Sequence, residues 1–218
     1  MTNYDEYLLS GLGADYRAFQ RLYLSGYNLV FIEWIASLKD ESLSDYAKRL
    51  LPQIKDERPV LIGLSFGGMV ALELSKLIKP AALILISSAR NKDDLHTSFP
   101  WLMKFNVLKL LPEFLLKRSN FILEYLMGIN RNEDRKILAE IIADTNASFL
   151  IWALSAMSKW ENQALPEHLI EIHGTADRLI PFRRTKYMKA IEGGGHLMIL
   201  NKAGTIQKII LDYLYHLK

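Results

Sequence analysis

The sequence contains no cysteine among its 218 residues. That absence excludes disulfide bonds, a thiolate nucleophile and cysteine-ligated metal sites together. The five histidines include no pair at i, i+4 spacing and have no cluster of carboxylates beside them, so the pattern also argues against a histidine-ligated metal. We therefore predict a protein that works without a metal ion or another cofactor.

An excess of charge and a long apolar run are missing as well. Lys and Arg number 27 against 24 Asp and Glu, for a net charge of +3, and the basic residues are spread along the chain. We therefore expect no nucleic-acid partner. No apolar run approaches the ~20 residues that span a bilayer, and residues 1–7 lack the basic-then-apolar order of a signal peptide. We expect a cytoplasmic protein with no stable membrane insertion.

What the sequence does contain is a core-forming composition with a regular rhythm. Half of the residues are hydrophobic, which suffices for one sizeable domain in a chain of this length. Strands are predicted at residues 7–9, 28–34, 60–62 and 81–86, and helices at 16–24, 42–51 and 69–77. This alternation of strand and helix predicts a parallel sheet with right-handed crossovers.

The alternation of strands and helices stops in the middle of the chain and then resumes. From residue 89 to about 166 there is no convincing strand, and helices are predicted at 99–111, 113–127, 132–143 and 147–160. Strand character returns at 168–172 and weakly at 187–191, before a helix at 202–217. We predict an α/β core of residues 1–88 and 167–218, with a mostly parallel open sheet flanked by helices, and an inserted helical cap of residues 89–166.

One short motif carries chemistry. Gly63-Leu64-Ser65-Phe66-Gly67 follows a predicted buried strand and precedes a predicted helix. A G-x-S-x-G pattern at such a turn lifts the serine clear of the sheet in a strained backbone conformation, and Gly63 and Gly67 relieve the crowding around it. The helix that begins here points backbone N–H groups at whatever Ser65 attacks. The plainer alternative is a tight turn with an incidental serine.

A serine nucleophile needs a base to take its proton and an acid to orient that base. His196 follows three glycines after the last weak strand, and Asp177 follows the strand predicted at 168–172. Loops at the C-terminal ends of parallel strands meet at one edge of the sheet, so we predict a shared site with Ser65 as nucleophile, Asp177 as acid and His196 as base. Taken singly, Asp177 also suits a capping turn residue, and His196 a buried structural histidine.

These motifs together resemble the α/β-hydrolase superfamily, among its small serine esterases of the carrier-protein methyl-ester esterase and carboxylesterase kind. Gly63-Leu-Ser-Phe-Gly-Gly68 is similar to that family's nucleophile elbow. His173-Gly-Thr-Ala-Asp-Arg-Leu-Ile-Pro181 is similar to its acid loop, commonly H-G-x-x-D-x-x-x-P, and Gly194-Gly-His196 to its histidine loop. The resemblance extends over nearly the whole chain.

The resemblance also implies an oxyanion hole made of two backbone N–H groups. One belongs to Phe66, the residue after the nucleophile. The other comes from the loop after an early strand, which here reads Ser10-Gly-Leu-Gly13 and points to the N–H of Leu12. Ser10 stands where the family usually has histidine. A second departure is the short interval between the acid and the histidine, where relatives often have a fuller helix.

The predicted cap is rich in aromatic and aliphatic residues. We expect most of them to form its core and a minority to line an apolar pocket above Ser65, with Trp101, Phe105 and Trp152 as candidates. The same apolar surface is open to two other interpretations, a homodimer contact and a membrane-facing lid.

The functional prediction is therefore a serine hydrolase that cleaves a small-molecule or acyl-chain ester or thioester through an acyl-enzyme. A non-catalytic receptor on the same fold and a C–C hydrolase or lyase with the same triad stay open as alternatives. A dinucleotide fingerprint at residues 9–16, with Glu33 as the ribose carboxylate, fails because Tyr16 stands where the third glycine is required.

Overall fold

The computed structural model describes residues 5–95 and 120–217. At its centre is a six-stranded sheet in the order β2-β1-β3-β4-β5-β6, in which every pair of neighbours is parallel. The strands are β1 (Asp5–Leu9), β2 (Asn28–Phe31), β3 (Val60–Leu64), β4 (Ala82–Ile86), β5 (Leu169–Gly174) and β6 (Met188–Ile191). The prediction of an open parallel α/β sheet is confirmed.

The helices flank this sheet. The α-helices are α1 (Leu43–Leu50), α2 (Phe66–Leu77), α3 (Phe121–Met127), α4 (Asn132–Asp144), α5 (Ala147–Lys159), α6 (Met198–Asn201) and α7 (Ala203–Tyr215), with 3₁₀ helices at Tyr16–Phe19, Leu51–Gln53 and Lys92–Asp94. Helices α3 to α5 come between β4 and β5, within the predicted cap insertion of residues 89–166. The name cap is kept below for residues 120–160 of that segment. The helix predicted at 99–111 and the start of the one at 113–127 lie outside the described residues.

The central strands are apolar on both faces because each face is covered. All five residues of β3 and of β4 are buried. Ile62 and Ile84 belong to the hydrophobic layer that contains α7, whereas Leu61 and Leu83 belong to the opposite layer with α1 and α2. A strand with two covered faces reads as a continuous apolar run, which is how both strands appear in the sequence.

The helix predicted over residues 16–24 is too long. Only Tyr16–Phe19 is helical, as a 3₁₀ turn whose N-cap, Asp15, accepts a hydrogen bond from the N–H of Arg17. Leu22 and Leu24 are both buried in the core. Side chains two residues apart point to different sides of an α-helix, so the chain leaves the helical path and places both leucines inward.

No single helix within residues 5–95 and 120–217 is long and apolar enough to cross a bilayer. Helices α4 and α5 together have the length and apolar composition of a membrane span, but the chain bends by 97° at the break between them.

Candidate active site

Because the strands are parallel, the loops that follow β1, β3, β5 and β6 lie at one edge of the sheet. Ser65 is in the tight turn between β3 and α2, with φ of 51° and ψ of −119°. Its N–H donates to the carbonyl of Ile86 at 2.9 Å, and its carbonyl accepts from Ser88 Oγ at 2.7 Å and from the N–H of Gly68 at 3.0 Å. These bonds hold a positive φ that a non-glycine residue rarely adopts.

The two glycines of the elbow are required by close approach of the backbone. A Cβ on Gly67 would lie 2.2 Å from the carbonyl oxygen of Leu9, at the end of β1. A Cβ on Gly63 would lie 2.4 Å from the Cα of Gly68. The elbow is therefore packed directly against the neighbouring strand, and this contact positions the serine.

Three predicted side chains, taken from three loops, lie within hydrogen-bond distance of one another. Ser65 Oγ is 2.9 Å from Nε2 of His196, and Nδ1 of His196 is 2.8 Å from Oδ2 of Asp177. A carboxylate only accepts hydrogen bonds, so Nδ1 carries a hydrogen, and when the ring is neutral Nε2 presents its lone pair to the serine hydroxyl. This tautomer is the one that a general base next to a serine needs.

Asp177 is buried and heavily hydrogen-bonded. Its Oδ1 accepts the N–H groups of Leu179 and Ile180, both at 2.9 Å. Burial by itself raises the pKa of Asp177, but the interactions with His196, His173 and the Ile180 N–H outweigh burial and hold that pKa well below its ordinary value. The group is therefore charged at neutral pH and fixed in orientation.

His173 is a second histidine at this carboxylate, and the sequence analysis did not assign it a role. Its Nε2 is 2.8 Å from the carbonyl of Ile180 and 3.2 Å from Oδ2 of Asp177. Burial lowers the pKa of His173, but the hydrogen bond and charge of Asp177 reverse this and raise it above the ordinary value. The available signal in the sequence was the place of His173 at the start of the acid-loop motif that contains Asp177.

The loop after β1 forms a tight turn beside the nucleophile. The N–H of Ala14 donates to the carbonyl of Gly11 at 3.0 Å, and Gly13, the third residue of the turn, has φ of +68°. Leu12 is not among the residues with positive φ, so this is a type II turn. A Cβ on Gly11 would lie 3.7 Å from the Cβ of Ser65, so the turn is packed against the elbow.

The two N–H groups singled out for an oxyanion hole are those of Leu12 and Phe66. Neither group donates to any residue within the described parts of the chain. The N–H of Phe66 is at the first residue of α2, where a helix has no internal acceptor to offer. Both groups are therefore without an acceptor among residues 5–95 and 120–217.

A cavity of about 480 Å³ adjoins Ser65 and His196. Its described lining comes from the sheet loops and from cap helices α3 to α5, and it contains no Lys, Arg, Asp or Glu. Three of its residues are Leu150, Leu154 and Met157, which repeat at helical spacing along α5. The described walls are therefore suited to an uncharged, apolar group.

The pocket candidate Trp152 does not line this cavity. Its indole N–H donates to the carbonyl of Glu41 at 2.9 Å, and its ring centroid is 4.4 Å from that of Tyr46 in a cluster that includes Phe66. Since Leu150 faces the cavity, a residue two positions later points away from it. Trp101 and Phe105 lie outside the described residues.

Within residues 5–95 and 120–217 no group of three or more His, Asp or Glu side chains is arranged to hold a metal ion. The arrangement of Ser65, His196 and Asp177 is one that can transfer a proton from a hydroxyl as that hydroxyl attacks an electrophile.

Comparisons with known proteins agree with this architecture. A model of the alpha/beta hydrolase family matches residues 7–206, while a comparison with curated protein sequences found no match. A malate-bound thermophilic esterase from Thermogutta terrifontis superimposes with a TM-score of 0.73 at 15% identity, over 99% of this chain and 91% of that one. MenH from S. aureus superimposes with a TM-score of 0.73 at 18% identity, over 100% of this chain and 95% of that one. The esterase EaEST from Exiguobacterium antarcticum superimposes with a TM-score of 0.74 at 16% identity, over 97% of this chain and 92% of that one. At these identities the likeness is one of fold.

Proposed function

Since the chain belongs to the alpha/beta hydrolase family, we propose that it is a serine hydrolase that cleaves carboxylic esters or thioesters of apolar acyl groups through an acyl-enzyme. The observation that carries this proposal is the hydrogen-bonded chain Ser65–His196–Asp177 next to a cavity whose described walls are apolar.

In the first half of the reaction Ser65 Oγ attacks the carbonyl carbon while Nε2 of His196 takes the hydroxyl proton. The carbonyl oxygen becomes an oxyanion, which the N–H groups of Leu12 and Phe66 stabilise. The tetrahedral intermediate then breaks the bond to the alcohol or thiol, and this leaving group takes the proton from His196. Asp177 keeps the ring in the required tautomer and stabilises it while it is charged.

In the second half the acyl group is bound to Ser65 and water enters. Nε2 of His196 takes a proton from the water as its oxygen attacks the acyl carbon. The second tetrahedral intermediate expels Ser65 Oγ, which recovers the proton from His196, and the carboxylic acid leaves. Deacylation repeats the steps of acylation with water in place of the serine hydroxyl, so the same groups act in both halves.

The apolar lining of the cavity sets the expected substrate preference. Each methylene of an acyl chain that enters it contributes about 0.8 kcal/mol, which corresponds to about a fourfold gain in kcat/KM. We expect this gain with chain length until the cavity is filled, and a loss when the chain ends in a carboxylate that no described cation in the cavity can pair with.

Ser65→Ala and a fluorophosphonate probe test the proposal. The wild type should be labelled by the probe and should hydrolyse p-nitrophenyl esters with kcat/KM that rises from acetate to hexanoate. Ser65→Ala should lose labelling and about 10⁵ to 10⁶-fold in kcat. Ser158→Ala, which removes a hydroxyl on α5 that donates to Ser155 O, is the matched control and should behave as the wild type. An unlabelled wild type without turnover would point to a receptor and refute the proposal.

A further inference from the structure

A cap residue contacts the turn that holds the proposed oxyanion donor. Thr145, the residue after α4, is buried, and its Oγ1 lies 2.9 Å from the carbonyl of Gly13 and 2.8 Å from the carbonyl of Ile141. The contact to Gly13 joins residues 132 positions apart in the chain. A hydroxyl has one hydrogen, which these two acceptors share.

We propose that Thr145 is a positioning residue of the oxyanion hole. Its hydroxyl holds the Gly13 carbonyl and thereby aims the N–H of Leu12 at the reacting carbonyl, so that hydrolysis at Ser65 depends on how the cap is seated. This inference rests on the proposed ester hydrolysis and adds to it a cap residue that lines the same cavity as Ser65 and His196.

The turn of residues 11–14 is hydrogen-bonded mostly to groups outside it. Inside the turn of residues 11–14 one backbone bond is formed, from the N–H of Ala14 to the carbonyl of Gly11. The carbonyl of Ala14 accepts from Ser10 Oγ and from Trp34 Nε1, both on the sheet side. The carbonyl of Gly13 instead accepts from the cap, through Thr145. Two adjacent peptide groups are thus fixed from two different layers of the molecule.

The contact is also tight. A Cβ on Gly13 would lie 2.5 Å from Cγ2 of Thr145, so the methyl group of the threonine is packed against the Cα of the glycine. Gly13 therefore satisfies two requirements at once, its φ of +68° and the space that Thr145 occupies. A displacement of Thr145 would remove both the hydrogen bond and the packing by which the cap contacts the turn.

Helix α4, which places Thr145, is fastened to the segment that follows the turn. Nη2 of Arg17 is 2.8 Å from Oδ2 of Asp144, at the end of α4. Nη1 of Arg21 is 2.6 Å from Oδ1 of Asp134, near the start of the same helix. Asp134 is fully buried. The two arginines are four residues apart and hold both ends of one helix, so the position of Thr145 relative to Gly13 follows the seating of α4.

Thr145→Val and Thr145→Ser separate the hydroxyl from the shape of the side chain. Valine keeps the volume and loses the donor, whereas serine keeps the donor. Complete removal of an oxyanion donor costs about 10²–10³-fold in kcat, and a donor that is merely misaimed should cost less, about 10-fold. We expect that loss in kcat for Thr145→Val with KM within about twofold, and kcat within about threefold of wild type for Thr145→Ser.

A trifluoromethyl ketone that forms a hemiketal with Ser65 supplies a second readout, because its oxyanion occupies the same hole. Its Ki should rise in Thr145→Val by about the same factor by which kcat/KM falls. Ser158→Ala removes a comparable hydroxyl-to-carbonyl bond from α5 and should change neither value. Circular dichroism and the melting temperature establish that each variant is folded. If Thr145→Val does not fold, Thr145→Ala is measured against Thr145→Ser in its place.

The inference is overturned if the valine variant keeps wild-type kcat and Ki, or if the serine variant loses as much as the valine variant. A folded valine variant with a raised KM and an unchanged kcat would equally overturn it, since Thr145 would then act on substrate binding. These outcomes require a Ser65-dependent wild type. Failure of the proposed function itself is seen separately, as an unlabelled and inactive wild type.

Discussion

His173 contacts the same oxygen of Asp177, Oδ2, that is hydrogen-bonded to His196. Nε2 of His173 is 3.2 Å from Oδ2 of Asp177, and that same oxygen accepts the Nδ1–H of His196 at 2.8 Å. Since Nε2 of His173 faces two acceptors, the carboxylate and the Ile180 carbonyl, it carries the hydrogen. The carboxylate of Asp177 is thus held by two imidazole rings and two backbone N–H groups.

This relationship predicts a pH-dependent contribution of His173 to stability. The groups that face its ring with charge are Asp177 and Glu171. Because the pKa of His173 is raised in the folded protein, its contribution is fully present below the unfolded pKa of about 6.5 and is lost as the pH rises through the folded value.

The variant His173→Gln keeps a donor and loses the titration. In urea unfolding at pH 5.5, 7.0 and 8.5 the wild type should exceed His173→Gln in free energy of unfolding most at pH 5.5, and the difference should shrink as the pH rises. A gap between wild type and His173→Gln that widens with pH would contradict the assignment.

Asp177→Asn should reduce turnover without preventing substrate binding. An amide at this position can present N–H to Nδ1 of His196, which favours the tautomer that points its hydrogen at Ser65. We expect kcat to fall by about 10³–10⁴-fold with KM little changed. Asp212→Asn, an exposed residue of α7, is the matched control in steady-state assays. Full activity in Asp177→Asn would remove the carboxylate from the mechanism.

Gly67→Ala should disrupt the elbow, because the added Cβ would meet the Leu9 carbonyl at 2.2 Å. We expect a loss of about 1–3 kcal/mol in the free energy of unfolding, together with loss of fluorophosphonate labelling. Gly204→Ala is the opposite control: it lies in α7 with no atom within 4 Å of the added Cβ, and should stabilise by up to about 1 kcal/mol. Equal stability of the two variants would show that the close approach is relieved elsewhere.

The ion pair of Arg21 and Asp134 should matter more for stability than exposed pairs do, since Asp134 is fully buried. Arg21→Met leaves that carboxylate without its cation and should cost about 3–5 kcal/mol. The double variant Arg21→Met, Asp134→Leu should recover much of the loss, because no uncompensated charge is left. Lys208→Met, on the exposed side of α7, should change the unfolding free energy by less than about 0.5 kcal/mol. A double variant no more stable than Arg21→Met would contradict this.

Much of the fold and the main site residues followed from local patterns in the sequence. A buried parallel strand is an apolar run, so β3 and β4 were recognisable without knowing their neighbours. The elbow around Ser65 is a local motif whose glycines are dictated by a sharp turn. Asp177 and His196 were predicted to lie near Ser65 because parallel strands end at one edge, which makes the loops after β5 and β6 neighbours of the elbow.

Other features depend on contacts between residues far apart in the chain, and no local pattern contains them. Trp152 belongs to an aromatic cluster with Tyr46 because of how α5 is rotated on α1, which its own sequence does not specify. The path of residues 20–24 follows the core around Leu22 and Leu24 and overrides the helical pattern.

Sequence patterns sufficed to predict the parallel α/β architecture, and they led to the expectation that Ser65, Asp177 and His196 share a site, because strand burial and turn geometry are local demands on neighbouring residues. The distances among those groups, the contact of His173 with the carboxylate and the contact of Thr145 with the turn at Gly13 depend instead on tertiary packing. Such contacts arise from packing of whole layers, in which small rotations of a helix decide which side chain reaches a given carbonyl.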